Sequence, residues 1–301
     1  MDQSGNLWFA TTREGVYRFE GTTFKHYSDK EGLPSNYINC IMEDTMGNLW
    51  FGTNKGVSKF NGNDFENISM PSDGKPNLLE DICNGNQVLS IIEDAKGHLW
   101  FGTCGSGAYR YDGKTFESFF AEEGRRQSDS LHRNVIKSMI KDDQGNIWFT
   151  SLTHGAVNKY DGKTMRHFST KDGLHDDMIF ASHQDRSGNY WFGSIQNKDG
   201  GLFRSDGKTF EHIKLEDGIC DNFITGFFQD KDGVLWIKTG TKLCTFDGEK
   251  FQNFMTEEVE ELHDIGMVIQ DKDGMMWFGG QYGQLWKYDG KRLIDFKNKG
   301  Q

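Results

Sequence analysis

In an acidic sequence, Arg125, Arg126, His132 and Arg133 form the one cluster of cationic side chains, and His154 follows in the next repeat. Guanidinium groups grip carboxylates and phosphates through paired N–H donors, so the chemistry these residues suit is recognition of a small anion or an acidic partner. The competing account is a solvated loop, because Glu122, Glu123 and Asp129 lie in the same stretch and can neutralise it. Residue types fit for acid–base work occur at His154, at His175 beside Asp176 and Asp177, and at His183. None stands in a paired or spaced constellation, and the chain holds no G-x-S-x-G, H-E-x-x-H or P-loop pattern. His183 falls in a column otherwise filled by Met42, Ile92, Ile140, Phe228 and Ile269, which predicts a core histidine. The Asp-x-Asp-Gly runs at Asp230 and Asp271 begin like a calcium loop, but the remaining ligands of a twelve-residue loop are missing and each run reads as a turn. Cys40, Cys83, Cys104, Cys220 and Cys244 are odd in number and lack metal or redox spacing, so they read as small, partly buried residues with room for one disulfide. The expectation is no catalytic residue, no metal site and no cofactor.

Bulk composition narrows the classes further. A net charge of −11 repels phosphate backbones and argues against nucleic acid as a partner. No apolar run reaches the roughly 18 to 20 residues needed to cross a bilayer, so this segment is not expected to insert in a membrane, and the opening MDQSGNLWFA has no apolar signal core. With 35% hydrophobic and 14% aromatic residues, the chain can still bury a large core.

What must position any site is a repeat. Trp8, Trp50, Trp100, Trp148, Trp191, Trp236 and Trp277 recur at a period of forty to fifty residues, each inside a sentence such as DTMGNLWFG or DKDGMMWFG. Each unit reads as four short strands separated by turn signals. A first apolar strand precedes the Trp-Phe strand; a third strand ends in Phe or Tyr and runs into Asp-Gly or Asn-Gly, as at Asn61-Gly62 and Asp112-Gly113, before a fourth. Successive strand residues face opposite ways, so burying both Trp50 and Phe51 requires a layer on each face of the sheet. A ring of blades provides that. The predicted fold is therefore all-β, a seven-bladed β-propeller of four-stranded antiparallel blades in one domain over 1–301, with blades near 1–28, 36–69, 86–120, 134–168, 178–213, 222–254 and 264–297. The column Cys40, Ser90, Ser138, Ala181, Gly226 and Met267 on the first strand is small in all but its last member, as crowding near an axis would demand. That inner strand occurs six times and the others seven, so the first blade is expected to lack it, which suggests a piece of a longer product.

The unit D-x-x-G-N-x-W-F-G-T, then G-x-x-x-Y-D-G-K-x-F, then G-L-x-x-x-x-I resembles the two-component regulator propeller repeat along essentially the whole chain. The resemblance implies a ligand sensor, often of carbohydrate breakdown products, in the periplasmic region of a bacterial hybrid histidine kinase or in a secreted relative. Seven blades stand where such sensors usually carry two propellers, and no kinase, receiver or Tyr-rich sandwich segment is present. The W-F-G-T sentence also resembles the lyase that opens streptogramin antibiotics.

Long irregular connections on a rigid scaffold usually carry binding. Here they are Met70 to Gln87, Ala121 to Asn134, Ser151 to His154 and Ile195 to Gly200, all expected on one face together with Pro34, Pro71 and Pro76. The reading is a non-catalytic, extracytoplasmic sensor that binds a small molecule, a carbohydrate or an anion, through Arg125, Arg126, His132, Arg133 and His154. The alternatives are a protein interaction scaffold and a propeller lyase.

Overall fold

The computed structural model describes residues 1–71, 86–120, 135–152, 157–174, 178–196, 200–254, 265–280 and 284–296. Among the described residues, twenty-seven short strands assemble into seven antiparallel sheets, each built from consecutive strands. They are the blades of a seven-bladed β-propeller. The first blade has three strands, β1 (Leu7–Ala10), β2 (Val16–Phe19) and β3 (Phe24–Tyr27). Each of the other six has four. The second holds β4 (Ile38–Glu43), β5 (Leu49–Thr53), β6 (Gly56–Phe60) and β7 (Phe65–Ile68); the third, β8 (Val88–Glu93), β9 (Leu99–Thr103), β10 (Ala108–Tyr111) and β11 (Phe116–Phe119). The fourth runs through β12 (Ile136–Lys141), β13 (Ile147–Ser151), β14 (Val157–Tyr160) and β15 (Met165–Phe168). The fifth comprises β16 (Ile179–Gln184), β17 (Tyr190–Ser194), β18 (Leu202–Ser205) and β19 (Phe210–Ile213). The sixth is β20 (Ile224–Gln229), β21 (Leu235–Thr239), β22 (Leu243–Phe246) and β23 (Phe251–Asn253), and the seventh β24 (Ile265–Gln270), β25 (Met276–Gly280), β26 (Leu285–Tyr288) and β27 (Leu293–Asp295). The chain forms two compact units, Met1–His167 and Phe168–Gln301.

Within each unit the Trp-Phe pair does what strand alternation requires. The Trp of one blade meets the aromatic of the next: Trp8 and Phe51 at 5.7 Å, Trp50 and Phe101 at 6.1 Å, Trp100 and Phe149 at 5.4 Å, and Trp236 and Phe278 at 5.6 Å between ring centroids. Where blade six carries Ile237, Trp191 packs in the same cluster as that aliphatic side chain. Each such side chain contributes about 1.5 to 3 kcal/mol of gross burial, which ties successive blades within each unit through a repeated pair.

Local chemistry at the turns explains the rest of the sentence. In all seven blades the Asp six residues before the Trp accepts the indole N–H on Oδ2, from 2.7 Å at Asp271 to 3.1 Å at Asp94. Oδ1 accepts backbone N–H groups of the turn, as from Met46 and Asn48 onto Asp44, while Asn48 adds its own side-chain amide. A Lys or Arg from the third strand lies over the Trp ring in six blades, closest at Lys159 and Lys287, both 4.9 Å from the centroid. Blade six places Thr245 there instead. Burial pushes the Asp44 carboxyl up, but the Trp50 and Asn48 donors outweigh it and leave the group below its ordinary value; Asp2, Asp94 and Asp185 behave alike.

The Asp-Gly turns divide the labour between their two residues. Gly113 and Gly162 take the left-handed conformation at φ 93° and 92°, whereas Asp112 and Asp161 stay out of it and accept the next two or three N–H and hydroxyl groups. Those bonds hold both carboxyls down at about 2. Among the described residues, three blade exits carry short 3-10 turns that the strand pattern does not announce: Asp29–Glu31, Thr170–Asp172 and Leu215–Asp217. Ser28 and Ser169 cap the first two, and Gly32, Gly173 and Gly218 end them in the left-handed region ahead of buried Leu33, Leu174 and Ile219.

The cysteines depart from the reading as small core residues. Cys220 and Cys244 form a disulfide across 24 residues, and Cys104 is disulfide-bonded as well. The pair joins the segment after β19 to the middle of β22, a contact between positions that sequence spacing does not reveal.

Candidate functional site

Every inner strand with a partner begins the same way. A buried Ile or Val pairs with the last residue of the Trp strand, one extra residue follows outside the ladder, and pairing resumes at the small column. The extra residues are Asn39, Leu89 and Lys137 in the first unit and Phe180, Thr225 and Gly266 in the second, each half-buried or exposed. A bulge frees one side chain from the pleat and re-aims it, so this position is where a rigid sheet can vary its chemistry. The opposite end of each inner strand leads into the uniform Asp-x-x-Gly turn.

In the first unit β4, β8 and β12 lie side by side. Asn39 spends its amide N–H groups on Asn54 Oδ1 at 3.1 Å and on the Val88 carbonyl at 2.9 Å, which ties the bulge of β4 to the start of β8. Behind it, the free thiol of Cys40 is pushed up to about 12 by burial, against smaller opposing effects of the Gly52 backbone and Lys137. A neutral thiol of that kind is neither a nucleophile nor a metal ligand near neutral pH. Burial lowers the Lys137 ammonium from its ordinary value, with Cys40 acting the other way. Ser90 Oγ is buried on the strand between them and has no hydrogen-bond partner among the described residues. A hydroxyl and an ammonium thus occupy neighbouring inner strands at one end of the unit, next to a bulged amide.

The second unit is built differently. Lys238 stands where Gly52, Gly102, Gly193 and Gly279 stand elsewhere, and its ammonium donates to the Gly266 carbonyl of the next inner strand. Gly226 across from it makes the room, since a Cβ there would lie 2.3 Å from Lys238 Cε. Thr225 donates its hydroxyl to the Lys238 carbonyl at 3.3 Å, and Thr241 donates to Asp221 at 2.7 Å. His183 sits on β16 opposite Trp191, half-buried, with its Nε2 unpartnered among the described residues and its titration pushed down by burial first. Its ring lies 6.4 Å from Phe227.

Arg125, Arg126, His132 and Arg133 lie outside the described residues, and so do His154, His175, Asp176 and Asp177. What the structure places is their frame. Phe120, the last described residue before the arginine stretch, is left-handed at φ 66° and packs on Phe149 at 5.2 Å. Val135 re-enters by bridging Cys104, and Ile136 pairs with Ser151, the strand end just before the His154 segment. Both stretches therefore attach at the bulged end of β12, close to Lys137. Sequence reading missed Lys137, Asn39 and Ser90, although one polar or odd residue after an Ile or Val in an apolar strand was a legible signal. Among the described residues no group of three or more His, Cys, Asp or Glu could hold a metal, and the Asp230 and Asp271 carboxylates are already bonded to Trp236, Trp277 and turn amides.

The sequence profile described as two component regulator propeller matches residues 32–55, 84–105 and 218–241. Those three stretches match the two-component regulator propeller repeat. Two of the matched stretches run from a blade exit, Gly32 or Gly218, through the bulged inner strand and the Asp turn to the end of the Trp strand, and the third covers β8 and β9. Among solved structures, the repeat protein is similar to the extracellular domain assigned to the hybrid two-component system BT3049 from B. thetaiotaomicron, with 22% identity, a TM-score of 0.75, and 96% of this chain matched to 38% of that one. The chain thus spans well under half of that extracellular domain. PorZ of Porphyromonas gingivalis, a surface component of the type-IX secretion system, matches at 19% identity and a TM-score of 0.65 over 94% of this chain and 45% of its own. A streptogramin B lyase matches at 13% identity and a TM-score of 0.70 over 97% and 91%. No curated protein sequence matches. At these identities the likenesses establish the propeller fold and no activity.

Proposed function

We propose that the chain is the ligand-recognition propeller of an extracytoplasmic sensor, and that it binds without catalysis at the bulged ends of its inner strands. The observation that carries this reading is the contrast between the two ends of the same strands. One end leads into a single Asp–Trp lock in all six, whereas the other changes from Asn39 to Leu89 to Lys137 in successive blades. Constancy serves the scaffold; variation on a rigid scaffold serves recognition. The repeat family and the extracellular domain of BT3049 support a sensing role. Disulfides at Cys220–Cys244 and Cys104 support an oxidising compartment such as the periplasm or the cell exterior.

The ligand of this reading is a small molecule that pairs hydroxyls with an anionic group, an acidic oligosaccharide for example. Lys137 and Ser90 meet it within the unit, and Arg125, Arg126, His132, Arg133 and His154 join from the segments attached there. The test is isothermal titration of neutral and uronic-acid oligosaccharides into the purified chain. An acidic sugar is expected to bind, with affinity weakened at least about tenfold, or about 1.4 kcal/mol, by Lys137→Ala and by combined alanines at Arg125, Arg126 and Arg133. Unchanged affinity in both variants would remove the site from this end of blade four. Turnover of a streptogramin by the same preparation would replace the sensor reading with a lyase.

A further inference from the structure

The inner strands carry one residue directly opposite the Trp of their own blade: Met42, Ile92, Ile140, His183, Phe228 and Ile269. Residues paired in this way share a face of the sheet, so the column looks where the Trp looks, toward the next blade. The slot is apolar in its other copies. Met42 packs on the cluster of Trp50, Val88 and Phe101, Ile92 on that of Trp100, Ile136 and Phe149, and Phe228 on that of Trp236, Val268 and Phe278. His183 alone brings an ionisable ring into this column.

Its surroundings belong to two adjacent blades of the second unit. The ring lies 6.4 Å from Phe227 of β20 and is inclined to it by 27°. Trp191, opposite His183, packs in one cluster with Ile224, Leu235 and Ile237 of blade six. His183 therefore sits in the seam between blades five and six. Its Nε2 is buried with no hydrogen-bond partner among the described residues. In a neutral imidazole that nitrogen can remain a bare acceptor; in the imidazolium it is a charged donor with nothing opposite, which costs more. The charged groups around it offer little relief. Asp185 attracts the proton, but its Oδ2 already accepts from Asn189 and Trp191, and Arg186 repels it. Strand β20 has no ionisable side chain and β17 has only Tyr190. Beyond them, Arg204 of β18 lies over the Trp191 ring, Asp230 after β20 accepts from Trp236, and Lys238 of β21 reaches Gly266 in blade seven.

We propose that His183 is an acid-sensitive latch in the seam between blades five and six. Neutral, the ring fills the slot as Ile or Met does in other blades. Protonated, it must carry its charge to water, and the seam opens to allow it. The latch is built from the second unit alone and does not depend on the ligand site proposed above. Its sign follows from burial, which holds the folded titration below the ordinary value of about 6.5. Stability is then intact above about pH 6.5, falls as pH drops from there to the lowered folded value, and is flat beyond it.

Hydrogen exchange of the purified chain at about pH 7.5 and about pH 5, corrected for intrinsic rates, reads the opening of this seam. In the natural chain the opening constants of the β16, β17 and β20 amides are expected to rise at least about fivefold in acid, and in His183→Ile less than about twofold. The remaining histidines are common to both proteins, so the difference belongs to His183. An equal rise in the two proteins would overturn the proposal. So would an imidazole resonance of His183 in the natural chain that titrates at or above about 6.5, a measurement that decides the matter even where His183→Ile does not fold.

Discussion

The carboxylate six residues ahead of each Trp shows how one side chain can define a blade. Asp44 accepts from the Trp50 indole and the Asn48 amide while holding the turn closed through Met46 and Asn48 N–H groups. Removing it orphans a buried indole donor and loosens the turn at once. Asp44→Ala is expected to cost about 2 to 4 kcal/mol. Its pH signature has a definite sign. A carboxyl held below its ordinary value when folded stabilises above about pH 4 and loses that contribution as pH falls through the depressed value. Urea midpoints measured from pH 7 to pH 2 should therefore show the variant well below the natural chain at neutrality and converging on it in acid. A constant gap across that range would mean that the lock acts through packing and not through charge. The fixed spacing of Asp and Trp was visible in the sequence, which marked the Asp as a turn residue; that it also receives the indole was not, because a contact across a hairpin depends on where the turn aims its carboxylate.

At the scale of the strand pair, the small column and the Trp-Phe-Gly column act as one unit. The sequence pointed to small residues on the inner strand and to crowding near an axis. The structure gives a nearer cause: Cys40 faces Gly52, Ser90 faces Gly102 and Gly226 faces Lys238, so what one strand gains in size the other gives up. The next blade closes in too, since a Cβ on Gly52 would also stand 3.0 Å from Val88. Gly52→Ala is expected to destabilise by about 1 to 3 kcal/mol, and Cys40→Gly in the same chain should recover part of it. A double-mutant cycle by chemical denaturation measures this, and a coupling within about 0.5 kcal/mol of zero would show that the two columns are independent. The bulge lies in the same element. Asn39, Leu89 and Lys137 were in plain view as letters, but a residue leaves the ladder only when the pairing on both sides of it is known, so this part of the candidate site was hidden in the sequence.

For the molecule as a whole, a covalent cross-link adds to the repeated core. The 24-residue loop closed by Cys220 and Cys244 is worth about 3 kcal/mol by chain entropy. Cys220→Ser with Cys244→Ser should lower the denaturation midpoint by a corresponding amount and leave the natural chain's sensitivity to reductant much reduced. A double variant as stable as the oxidised protein would show that the bond is incidental.

The sequence by itself determined the architecture, because a period of forty to fifty residues, a Trp followed by Phe or Ile in every repeat and an Asp-Gly, Asn-Gly or Glu-Gly turn after every third strand leave few ways to bury both faces of each sheet. It also determined that the first blade would have three strands, by simple count. Tertiary structure alone decided which cysteines join and which inner-strand residues leave the ladder. Those outcomes depend on distances between residues far apart in the chain, and local pattern carries the periodicity of a strand but not the identity of its neighbour.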